Sequence, residues 1–155
     1  MTLRPLLDHL DRTPEGKAVL EGGTAVVSST LRPYVIAALA ADRDEPLLVV
    51  CSGEDEARDL SHELSAWLAP QRARWYPARG VAYKSHLAPP PHLIGRRIAA
   101  IDALVDAANS DDVVATMVPQ PVIVASAAAL AELIPDPELR PHSTSLAKGD
   151  LIDLD

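Results

Sequence analysis

The sequence has no phenylalanine, a single cysteine, only two tryptophans and three tyrosines, and no long apolar run. Each shortage excludes something. Cys51 alone cannot form a disulfide within the chain, which removes the small disulfide-stapled class. Its thiol sits in the apolar run Leu47-Leu48-Val49-Val50-Cys51 and is expected to be buried and inert. Without Phe, the core must come from Ala, Leu and Val. No stretch approaches the ~20 residues of a membrane span, and the first residues show no signal-peptide pattern, so the cytoplasm is the expected location. Lys and Arg number 14 against 22 Asp and Glu, a net charge of −8 that argues against a free-standing nucleic-acid binder. The five histidines, His9, His62, His86, His92 and His142, are scattered without metal-ligand spacing, and no G-x-S-x-G turn supports a serine nucleophile.

What is present is alternation of strand and helix signals in a chain long enough for one core. Leu3, Leu6, Leu7 and Leu10 predict a short amphipathic helix over 3–11, followed by a polar turn with Pro14 and Gly16. After Gly22-Gly23, the β-branched run Thr24–Ser28 reads as a buried strand, with Ser29 or Thr30 capping a helix that carries Pro33 in its first turn. Residues 47–51 read as a second buried strand. Ser52 is expected to cap the next helix with Asp55 three residues on; its apolar stripe is Ala57, Leu60, Leu64, Trp67 and Leu68, with Glu54, Glu56, Arg58 and Glu63 facing water. A later stripe of Ile94, Ile98, Ile101, Val105 and Ala108 predicts a helix over 93–108 with Arg96 and Arg97 on its flank. Val113-Val114 and Pro121–Ala125 supply strand material, and Ser126 is expected to cap a helix over 127–134. Buried strands separated by helices call for a parallel sheet covered on both faces.

A strand, turn and helix invite a search for a phosphate cradle, which needs glycines for close backbone approach, a lysine and a magnesium-binding hydroxyl. The turn is Ser28-Ser29-Thr30-Leu31-Arg32, with Leu31 and Arg32 where Lys and Ser/Thr would belong; the lysine and the second glycine are missing. The stretch Trp75–Arg97 concentrates aromatic, imidazole and cationic side chains around Pro89-Pro90-Pro91. It reads either as an irregular connection or as a working loop, since long connections in compact domains are uncommon.

The run Tyr76-Pro77-Ala78, then Tyr83, then Leu87-Ala88-Pro89-Pro90-Pro91-His92-Leu93-Ile94-Gly95-Arg96-Arg97-Ile98-Ala99-Ala100 resembles a signature in the N-terminal region of the bacterial transcription-repair coupling factors. Leu47–Ser52, Pro121–Leu130 and Lys148–Asp155 are similar to further segments of that family in the same order. Arg79-Gly80 stands where the family has Trp-Glu, and Lys84 replaces an acidic residue. The resemblance implies a RecA-like, P-loop-type α/β domain, related to the excision-repair subunit UvrB, with a degenerate phosphate loop at Ser28, Ser29, Thr30, Leu31 and Arg32. It divides the chain into an N-terminal helix and turn (1–21), the UvrB-homology domain (22–135) and the start of a UvrA-binding domain (136–155), and implies that the chain is a piece of a longer protein.

By the same resemblance, this piece has no catalytic residue, metal or cofactor of its own. ATP, magnesium, double-stranded DNA, RNA polymerase and UvrA belong to the longer protein, an ATP-dependent DNA translocase in nucleotide excision repair. Arg79, Tyr83, Arg96 and Arg97 become candidate contacts with a partner or with the rest of the chain, and Arg96 and Arg97 are expected to lack partners of their own. A second reading takes Arg72, Arg74, Arg79, Lys84, Arg96 and Arg97 as a phosphate-facing strip of an independent DNA-binding or helicase fragment.

Overall fold

Three short runs rich in aliphatic or aromatic residues lie side by side and account for the sheet. The computed structural model describes residues 3–68, 72–82, 85–109, 120–132, 134 and 149. Strands β1 (Leu47–Cys51), β2 (Ala73–Tyr76) and β3 (Val122–Ser126) form an all-parallel sheet in the order β1-β3-β2. Leu47 pairs with Val122 and Cys51 with Ser126 on one side; Ala73 pairs with Val122 and Tyr76 with Ala125 on the other. β3 is central and buried throughout, as its unbroken apolar sequence requires. β2 was not expected: its last two residues, Trp75 and Tyr76, open the stretch read as an irregular connection or a working loop, yet two aromatics suit a pleated, half-buried surface.

Successive residues of β3 face opposite sides and build two cores. Val122 and Val124 pack with Leu47, Val49, Cys51, Ala73 and Trp75 beneath helices α2 (Arg32–Ala41) and α3 (Glu54–Trp67). Ile123 and Ala125 pack with Tyr76, Ala100 and Ala129 beneath α4 (Pro91–Asn109) and α5 (Ala127–Ala131). The α3 stripe is as expected: Ala57, Leu60, Leu64 and Leu68 are buried, and Trp67 meets the edge of Tyr34 at 5.3 Å. The α4 stripe is rotated. Arg97 and Ala100 are buried while Ile94 is exposed, because small Ala100 brings the helix close to Ile123 and Ala125, and Arg97 finds partners below. On β1, Leu48 and Val50 remain more than half exposed.

The N-terminal third departs most from expectation. Residues 4–12 are helical as anticipated, though wound as a 3₁₀ segment, but Pro14 and Gly16 lie in a helix, α1 (Pro14–Leu20), and not in a turn. Thr13 caps it by accepting from the Gly16 N–H at 3.1 Å, and Pro14 occupies the first turn, where its missing N–H costs nothing. Gly22 and Gly23 end that helix. Gly22 has φ 93°, its N–H donates to the Val19 carbonyl at 3.1 Å, and the Gly23 N–H donates to the Ala18 carbonyl at 2.8 Å, the paired bonds of a Schellman stop.

Thr24–Ser28 is therefore not a strand. Both edges of β3 are taken by β1 and β2, no ladder receives the segment, and Val26 is fully exposed. The strand material at Val113-Val114 lies outside the described residues. No helix among the described residues is long and apolar enough to cross a membrane.

Ala125 has no exposed surface and faces Ala129 and Ala100 in the second core. Ala125→Leu should overpack that layer and cost about 1–3 kcal/mol, read as a lower urea midpoint with an unchanged slope.

Candidate functional site

In an open α/β sheet, ligands bind outside the carboxyl ends of the strands, where neighbouring strands send their next helices to opposite faces. β1 leads into α3 on the first face and β3 into α5 on the second, so the crevice here lies between Cys51 and Ser126. The protein's own Glu54, at the start of α3, reaches across the end of β3 toward the end of β2. The Ser126 hydroxyl donates to Glu54 Oε1, and the Ala78 N–H donates to Glu54 Oε2 at 3.1 Å. Ser126 Oγ also accepts from the Ala129 N–H at 3.0 Å, so the expected cap of α5 is present and its proton is committed to Glu54. α5 is shorter than anticipated, ending at Ala131.

Glu54 was expected to face water at the first turn of α3. It turns inward because two donors from distant strand ends converge on it. The cap itself also differs from expectation: Gly53 is the N-cap without a side-chain bond, and Glu56, not Asp55, reaches back to Ser52. Glu56 Oε2 accepts from the Ser52 hydroxyl at 2.7 Å and from its N–H at 3.2 Å, and Oε1 pairs with Arg32. The Ser52 hydroxyl first, then its N–H, then Arg32 hold the Glu56 carboxyl below the usual carboxylate range. Nearby Cys51 is buried as anticipated; burial first, then the Glu56 charge, push its thiol up, and Arg32 offsets part of this.

The chain after β2 is pinned at three successive residues by side chains. Arg97 Nη1 donates to the Pro77 carbonyl at 2.7 Å, Glu54 takes the Ala78 N–H, and both Glu132 oxygens lie 3.0 Å from the Arg79 N–H. Arg97 Nη1 also donates to Glu132 Oε2 at 2.8 Å, and its guanidinium lies 4.3 Å from the Tyr76 ring centroid. Arg97 was expected to lack a partner; it is 7% exposed and fully engaged. Burial raises the Tyr76 phenol; the Arg97 charge counters this in part and Glu132 adds to it. Gly80 follows with φ 71°, where a Cβ would meet Leu93 Cδ1 at 2.8 Å, which explains glycine at that position.

The Ser28–Arg32 turn is not built to hold a phosphate. Ser28 Oγ and Thr30 Oγ1 bond each other at 3.2 Å, Leu31 stands at the N-cap of α2 without a side-chain bond, and Arg32 is tied to Glu56. Neither Ser29 nor Thr30 caps α2, since a 3₁₀ turn over Ser29–Leu31 leads into it.

The six cations of the basic strip do not share one face. Arg72 donates to the Gln120 carbonyl at 2.6 Å and to the Ala40 carbonyl; Arg79 and Arg97 meet Glu132; Tyr83 and Lys84 lie outside the described residues. Arg74 and Arg96 instead converge, with Arg58 of α3, on a cleft of about 290 Å³ at the outer edge of β2. Among the described residues, no cluster of His, Cys, Asp and Glu could hold a metal ion. No protein-family model, curated protein or solved structure matches the chain.

Arg97 and Arg96 are adjacent and should behave oppositely. Arg97→Met leaves Glu132 without its main cation and should cost roughly 3 kcal/mol, whereas Arg96→Met should change stability by less than about 0.5 kcal/mol; paired denaturant titrations check this. The Glu56 contribution, arising from a lowered carboxyl, is fully present above an unfolded value of about 4.3 and is lost as pH falls through its folded value. Glu56→Gln should therefore remove part of the acid-side loss of stability, measured as the urea midpoint against pH.

Proposed function

We propose that the chain is a non-catalytic, RecA-like module of a transcription-repair coupling factor, which positions the neighbouring UvrA-binding domain in the cytoplasm while ATP-driven translocation is carried out elsewhere in the longer protein. The observation that carries the reading is the Glu54 carboxyl, held by Ser126 and Ala78 at the carboxyl ends of β3 and β2, the end of the sheet at which such a domain would hold its nucleotide. Carboxyl groups at the start of α3 already complement the helix dipole, the role an incoming phosphate would otherwise play. The turn at residues 28–32, without lysine or glycine, supports the same conclusion from the other side. The collinear resemblance from residue 22 onward supplies the family, and with it UvrA, RNA polymerase and DNA as partners of the whole protein.

The 155-residue chain should neither hydrolyse ATP nor bind a fluorescent ATP analogue at micromolar concentrations. Deleting it from the whole protein should leave DNA-dependent ATP turnover intact and reduce UvrA recruitment at a stalled polymerase. ATP turnover by the chain alone, abolished by substitutions within 28–32, would overturn the proposal.

A further inference from the structure

We propose that the cleft at the outer edge of β2 is a binding site for the phosphate monoester of a small molecule, separate from the crevice described above and independent of the coupling-factor reading. The cleft lies between α3 and α4 and is lined by Arg58, Ser61, His62, Arg74, Trp75 and Arg96, among others. Its volume of about 290 Å³ is at the bottom of the range for small-molecule sites, enough for a phosphate and the group that carries it.

Charge decides the ligand. Arg58 is compensated by Asp55 at 3.1 Å and Asp59 at 3.0 Å. Among the described residues Arg74 and Arg96 have no carboxylate partner; Arg96 lies 5.6 Å from the Trp75 ring centroid. The walls therefore carry two uncompensated positive charges. A phosphate monoester carries nearly two negative charges at neutral pH and three acceptor oxygens, whereas a carboxylate or a backbone phosphodiester carries one. Guanidinium forks bind such oxygens bidentately.

Two further donors in this wall, Arg74 Nε and Trp75 Nε1, are buried without a hydrogen-bond partner among the described residues. An acceptor arriving in the cleft is the kind of group that such donors need. A nucleic-acid backbone fits less well. It wants a track of cations, while Arg72 and Arg97 are held internally, the exposed Arg79 pairs with Glu132, and the whole chain carries −8.

The test is a titration of the ¹⁵N-labelled 155-residue chain at low salt, following the indole N–H signals of Trp75 and Trp67. Ribose 5-phosphate and AMP should each give a saturable shift confined to Trp75, acetate at matched ionic strength should not, and Arg96→Gln, an exposed position that leaves the fold intact by circular dichroism, should weaken binding at least tenfold. Arg74→Gln serves as a second variant with the same expected direction. A shift that never saturates, one reproduced by acetate, or one indifferent to both substitutions overturns the site. So does binding of inorganic phosphate but of neither ester, or tighter binding by a phosphoserine peptide or by a duplex oligonucleotide without terminal phosphates.

Discussion

The Glu54 carboxyl group is shared by three parts of the chain at the carboxyl end of the sheet. It sits at the first turn of α3 and accepts from Ser126 at the end of β3 and from Ala78 just past β2, so the start of one helix and the exits of two strands share one acceptor. A backbone N–H and a hydroxyl at a strand end must find partners, because leaving a buried donor unpaired costs about 1–3 kcal/mol. Placing Glu54 there meets that demand from within the chain. Arg97 and Glu132 extend the arrangement by one residue on each side, so the carbonyl of Pro77 and the amides of Ala78 and Arg79 are all held by side chains.

This constraint also divides the molecule chemically. The carboxyl end of the sheet carries two acidic groups that are satisfied internally, Glu54 by Ser126 and Ala78 and Glu56 by Ser52 and Arg32. The cationic character of the stretch 72–97 is correspondingly split. Arg72, Arg79 and Arg97 pair with groups of the fold, and among the described residues Arg74 and Arg96 are left to face a shared space with Arg58. A count of cations along the chain could not make that distinction, because it depends on which carbonyls and carboxylates the fold delivers to each one.

How much was legible follows from the range of the interactions. β1, β3 and α3 could be read because their signals are local: unbroken apolar runs for the buried strands and a 3.6-residue stripe for the helix. β2 was hidden by Arg72 and Arg74 flanking and interrupting its four residues, although Trp75 and Tyr76 were a usable sign. Gly22-Gly23 was misread because the same pair can open a strand or close a helix, and only the bonds to Ala18 and Val19 decide it. Glu54 and Arg97 looked like ordinary surface charges of helix flanks. Their roles rest on Ser126 and Glu132, 72 and 35 residues away, and such encounters leave no periodic trace in the chain.

Seven of the buried apolar side chains among the described residues are alanines, at positions 37, 38, 40, 57, 100, 125 and 129. An alanine surrenders no rotamer freedom when it is enclosed, and it lets backbones approach more closely than any larger residue except at a glycine. The interior of this protein is therefore ordered at little entropic expense to its side chains, and its cohesion comes from how near the helices can come to the sheet. Thermal adaptation of such a domain would draw on its surface, its helix ends and its larger buried side chains, because the alanine contacts have no side-chain shape to refine.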